Sequence, residues 1–137
     1  MSYTYSTAVP LSWAEAVEKT CAALADQGFG ILSEINVRDT FAAKLGEEAA
    51  QAVGDYVILG ACNPQLASRA LAAEPELGAL LPCNVVVRRG PGAAETTVDA
   101  IDPQTMVQLS ASPAVREVAD DAGARLRAAL AQLAGNS

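Results

Sequence analysis

The stretch YVILGACNPQLASRALAAEPELGALLPCNVVVRR, Tyr56 to Arg89, decides the fold. It opens with an apolar run, Tyr56 to Ala61, of the kind that forms a strand buried on both faces. Gly60-Ala61-Cys62-Asn63-Pro64 ends that run. Asn63 can accept hydrogen bonds from the unpaired N–H groups of a following helix, and Pro64 suits the first helical position, where no N–H is needed. The helix stops near Pro75, and the chain enters another strand through Leu81-Pro82-Cys83-Asn84 into Val85-Val86-Val87. A strand–helix–strand unit of this length favours a parallel crossover. Cys62 and Cys83 would then flank opposite strand ends, about 20 Å apart at ~3.3 Å per residue. A disulfide needs Cα atoms within roughly 7 Å, so none is expected between them.

Upstream, Tyr3 to Val9 alternates apolar or aromatic residues with Ser and Thr, which predicts a strand closed by Pro10. Ser12-Trp13-Ala14-Glu15 is a capping-box pattern. The helix it opens puts Trp13, Val17, Cys21 and Leu24 on one face and ends at Gly28. Cys21 reads as a small core residue. Gly30 to Val37 is the next strand, with Ile31, Ser33, Ile35 and Val37 on one face and Leu32, Glu34 and Asn36 on the other. Asp39 is expected to cap a short helix, Thr40 to Leu45, closed by Gly46. Glu47 to Val53 is Ala-rich and reads as a further turn or two of helix.

Downstream, Val85 to Arg89 and Thr96 to Ile101 flank Gly90-Pro91-Gly92-Ala93-Ala94, a hairpin whose turn is set by glycine and proline. Asp102-Pro103 starts a short helix carrying Met106 and Leu109. Ser112-Pro113 starts the last one, whose apolar face is Val115, Val118, Ala122, Leu126, Ala129, Leu130 and Leu133. Gly123 within it costs about 1 kcal/mol against Ala and marks close packing. The tail from Gly135 to Ser137 is expected to fray.

Five strands and several helices, interleaved along the chain, predict an α+β two-layer sandwich: one mixed sheet with helices packed mainly on one face. A doubly wound sheet is the alternative. With 137 residues the chain is the size of one domain, spanning 1–137, and can bury about two-thirds of its unfolded surface. Several of its segments carry a resemblance to a known family: Ile58-Leu59-Gly60-Ala61-Cys62-Asn63-Pro64, Leu80 to Val87, Asp102-Pro103, Glu34 to Val37 and Lys44-Leu45-Gly46. Over roughly residues 30 to 106 the chain resembles the family named domain of unknown function 302. The resemblance implies a compact α+β fold and brings no established activity with it.

Composition removes whole classes of function. Net charge is −7, and no basic cluster exceeds Arg88-Arg89, so the stripe that displaces counterions from nucleic acid is missing. No apolar segment approaches the ~20 residues that span a bilayer. The N-terminus has neither the basic nor the long apolar region of a signal peptide. Three cysteines, an odd number without secretory context, fit free thiols and a cytoplasmic location. The absence of histidine excludes Ser-His-Asp and Cys-His catalytic pairs and His-ligated metals. Two cysteines are too few for a zinc or iron–sulfur site, and no metal or cofactor is expected.

The residues left to carry chemistry are few. Cys62 precedes a capped helix start, where a thiolate is stabilised if the side chain turns toward the free N–H groups and disfavoured if it turns into the core. The inert state is the expected one. Cys83, with Cys62 and Glu34, completes the catalytic candidates. Glu34 is expected on an open sheet face as a general base or as the partner of Lys44. Glu34, Lys44, Cys62, Asn63 and Asn84 are the candidate ligand-binding set. Asp102 reads as a helix cap, and the Gly90-Pro91-Gly92 loop lacks the context of a phosphate loop.

Two functions follow. The first is a non-catalytic homodimeric binding or assembly module with a small-molecule ligand held between subunits, since strands apolar on both faces would expose a large patch if helices cover only one. The second is a thiol- or carboxylate-dependent enzyme acting through Cys62 or Glu34. The first stands ahead, because the sequence does not assemble a base, an oxyanion stabiliser and a substrate pocket for the second.

Overall fold

The computed structural model describes residues 2–135. Its framework is a five-stranded sheet in the order β1-β5-β4-β3-β2, formed by Thr4–Val9 (β1), Gly30–Asn36 (β2), Asp55–Cys62 (β3), Cys83–Arg89 (β4) and Thr96–Ile101 (β5). The α+β sandwich is as expected, but the sheet is not mixed. All four pairings are antiparallel.

The reversal comes from the connection between β3 and β4. Helix α4, Pro64–Ala73, leaves the end of β3, and a 3-10 turn, Pro75–Leu80, folds back against it. The chain therefore returns to the end it left. Ala61 pairs with Cys83 and Asp55 with Arg89. Cys62 and Cys83 are near neighbours at one end of the sheet rather than about 20 Å apart, and both are free thiols.

Capping chemistry sets most helix starts. Ser12 accepts from the Glu15 N–H and opens α1, Trp13–Asp26. Gly28 beyond it takes φ +85°, a conformation that disfavours other residues. Asn36, not Asp39, caps α2, Val37–Leu45, so that helix begins three residues earlier than expected. The Asn36 carboxamide reaches the Asp39 N–H because the strand ends one residue before Val37. The short helix α3, Glu47–Val53, packs against α2. Asp102 accepts from the Gln104 N–H ahead of α5, Gln104–Leu109, and also from the Tyr5 hydroxyl.

Helix α6, Pro113–Gly135, ties the layers together. Its C-terminal half places Leu126, Ala129, Leu130 and Leu133 against α1 and the sheet residues Leu59, Val85, Val87, Val98 and Ala100. Its N-terminal half places Val115, Val118 and Ala122 against Leu66, Ala70, Leu77 and Met106 in a second cluster. Gly123 lies between the halves, where a Cβ would sit 3.4 Å from the Tyr5 hydroxyl. That is the close packing expected of it. Gly135 is the last helical residue; Asn136 and Ser137 lie outside the described residues.

The opposite face of the central strands carries Tyr56, Ile58, Val86, Arg88 and Asp99. Neither apolar cluster extends to Ile35, Ile58 or Val86. Arg88 pairs with Asp99 at 2.7 Å, and Ser6 donates to the same carboxylate at 2.6 Å. Arg89, one residue on, instead donates to the Leu11 carbonyl and Thr96 hydroxyl.

Candidate functional site

Three local events build a cavity at the end of the sheet. Strand β3 stops at Cys62, Asn63 turns the chain into α4 with its side chain accepting from the Leu66 N–H at 3.2 Å, and Pro82-Cys83 leads back into β4 alongside. Helices α4, α5 and α6 and the 3-10 turn line the remaining sides. The partly open space between them holds about 280 Å³, with Cys62, Asn63, Leu66, Leu81, Cys83 and Met106 among the lining residues. The cavity is just under the size range of small-ligand sites, and it has their apolar character. No charged residue lines it.

The asparagine is bonded on one side and sits close against Gly28 on another. Besides its cap bond, its amide nitrogen lies 3.0 Å from where a Cβ on Gly28 would sit. Gly60 is more constrained still. A Cβ there would come 2.2 Å from the Ser33 Oγ and 2.9 Å from the Pro82 ring. The missing side chain lets the strand carrying Cys62 lie close under Pro82.

Of the expected site residues, the fold brings Cys62, Cys83 and Asn63 together around one cavity. Asn84 is exposed on the adjoining strand and lines a neighbouring cavity of about 330 Å³, which Cys83 and Met106 share. Glu34 and Lys44 are both exposed, and neither lines these cavities. The expected position of Glu34 is corrected as well. A bulge between Ile31 and Ser33 shifts the alternation, so Glu34 pairs with the buried Leu59 and lies on the helix-covered side of edge strand β2. There, burial and the nearby Glu34 carboxylate raise the Cys21 thiol. The alternation expected for Ile31, Ser33 and Ile35 fails for the same reason: Ile31 packs into the core, whereas Ser33 and Ile35 pair with Gly60 and Ile58.

Burial pushes the Cys83 thiol up to about 11, and Cys62 nearby adds to the shift. A thiol with that value is neutral at pH 7 and a poor nucleophile. Cys62 lines the cavity but has neither Glu34 nor Lys44 beside it there. Met106 is the lining residue whose role sequence reasoning missed. It reads as a core side chain of a short helix, and nothing within twenty residues of it points to the cysteines. Leu109, expected beside it, is exposed instead.

A second cleft, lined by Arg38, Asp55, Arg89 and the Gly90–Ala93 turn, lies at the opposite end of β3. Its charges are already engaged, Arg38 with Asp55 at 3.0 Å and Arg89 with backbone and hydroxyl oxygens.

No curated protein matches the chain. Among solved structures, the chain is similar to an uncharacterized conserved protein DUF302 from Bacillus stearothermophilus, with 32% identity and a TM-score of 0.83 over 97% of this chain and 99% of that one. The family described as Domain of unknown function DUF302 matches residues 5–133. With nearly the whole chain covered by both matches, this protein belongs to the DUF302 family.

Proposed function

We propose that the protein is a non-catalytic binding module that works as a homodimer and holds a small, weakly polar molecule in the Cys62–Met106 cavity. The observation that carries this reading is the cavity wall: about 280 Å³ of space without a carboxylate, amine or guanidinium among its lining residues. Such a wall rewards apolar contact and offers Asn63 and two thiols for orientation. A thiol enzyme needs a group to take the proton from its nucleophile, and a carboxylate enzyme needs its carboxylate in the site. Glu34 is elsewhere, and the Cys83 thiol is held neutral by burial.

The dimer reading is supported by the far face of the sheet. Ile58 and Val86 are half-buried there and lie outside both apolar clusters, and Ile35 beside them is 49% exposed. The Arg88–Asp99 pair on that face is satisfied within one chain, so a second copy can cover the apolar strip without stranding a charge.

Indole is a suitable probe for the cavity. Titration followed by amide NMR is expected to move resonances of Leu66, Leu81 and Met106 together, and Ala67→Phe, which fills the cavity from α4, is expected to weaken binding about tenfold or more. Shifts scattered over the surface, or unchanged by Ala67→Phe, would remove the ligand half of the proposal. A monomer by sedimentation at micromolar concentration would remove the other half.

A further inference from the structure

We propose that Cys62, Cys83 and Met106 form a binding site for a soft monovalent cation, Cu(I), in the wall of the cavity. Among the described residues there are four sulfur-bearing side chains, Cys21, Cys62, Cys83 and Met106. Three of them line this one cavity, and each comes from a different element. Backbone pairing brings the two thiols close. Cys83 is the partner of Ala61, the residue next to Cys62, so their Cα atoms are at most about 9 Å apart by strand geometry. Met106 is buried and shares both cavities with Cys83, which places these two residues in the partition between them.

The donor set selects the ion. Thiolate and thioether sulfur favour soft cations such as Cu(I), whereas Ca(II) and Mg(II) require oxygen ligands. Structural zinc takes four ligands, with imidazole or further thiolates, and neither is available here. Cu(I) is satisfied by two or three sulfurs and needs no fourth partner. On binding, each thiol that ligates the ion releases its proton to solvent, and the metal enters and stays as Cu(I), so no electron is transferred. Leu66, Ala70 and Leu81 give the three sulfur-bearing residues an apolar surround. Sequence spacing hides this site, because Met106 lies far along the chain from both cysteines and only the return of α5 against α6 brings it near.

This site does not rest on the organic ligand proposed above, and the two are read by separate measurements. The test is anaerobic titration of the reduced full chain with Cu(I), in competition with bicinchoninate. The wild-type chain is expected to withdraw one equivalent, with sulfur-only coordination by X-ray absorption. Cys62→Ala and Cys83→Ala are each expected to weaken binding roughly 100-fold or more, and Met106→Leu about fivefold, whereas Cys21→Ala leaves it unchanged. Failure to compete with the chelator overturns the site, as does wild-type affinity in either Cys62→Ala or Cys83→Ala, or loss of binding in Cys21→Ala. Should a cysteine variant unfold by circular dichroism, the wild-type absorption spectrum decides, and nitrogen or oxygen ligands in it overturn the site.

Discussion

Cys83 shows how far one side chain's chemistry depends on where its strand begins. As the first residue of β4, paired with Ala61 and packed against the core, it loses the water that would solvate a thiolate. The folded chain therefore holds its proton more tightly than the unfolded chain does, with a pKa of about 11 against the ordinary 9.0. Below pH 9 the thiol is protonated in both states and the full stability is present. Above it the unfolded chain ionises first, so stability falls until the pH passes about 11, by on the order of 3 kcal/mol. Urea denaturation at pH 8, 9.5 and 10.5 is expected to show that decline in the wild type and a shallower one in Cys83→Ala. Parallel declines in the two proteins would place the loss elsewhere. Cys21, also raised by burial, is present in both and cancels in the comparison.

Helix α4 is the element on which the cavity depends, and its start rests on one side chain. Asn63 satisfies the Leu66 N–H, and Pro64 has no N–H to satisfy. Asn63→Ala is expected to cost about 1 kcal/mol in thermal or urea unfolding. It is also expected to weaken indole binding, because Asn63 is a polar group of the cavity wall. Asn63→Asp, which keeps the accepting oxygen, is expected to retain most of the stability; equal losses in the two variants would argue against the cap. This part of the site was legible from residues 62–64 alone, since capping is a contact within four residues. The strand β2 was legible, but which face each of its residues takes was not. Its bulge depends on how the edge strand meets Gly60, and that partner lies about thirty residues away in sequence.

At the scale of the molecule, α1 and α6 cover one side of the sheet, while the other side presents Ile58 and Val86. Ile58→Lys puts a charge at the middle of that face without touching either core. It is expected to yield a folded monomer, with sedimentation reporting half the wild-type mass and circular dichroism unchanged. Retention of the wild-type mass in Ile58→Lys would place any interface elsewhere. A standard interface of about 1,200 Å² or more in total is the scale on which such a substitution acts.

What the sequence determined by itself is local: the strands from their apolar runs, the helix starts at Ser12, Asn63 and Ser112, the turn at Gly90–Gly92 and the buried face of α6. Each is a matter of periodicity or of hydrogen bonds between residues a few positions apart. The family was also legible, because its motifs are contiguous segments. The direction of β4 was not. Whether a strand–helix–strand unit crosses over or returns depends on the segment after the helix, and here Pro75–Leu80 packs back on α4 and brings Cys83 beside Ala61. The same return gathers Cys62, Cys83 and Met106 around one cavity and leaves Glu34 and Lys44 outside it. Only the tertiary structure decides such a grouping, because packing energy is the same wherever the contributing residues lie along the chain.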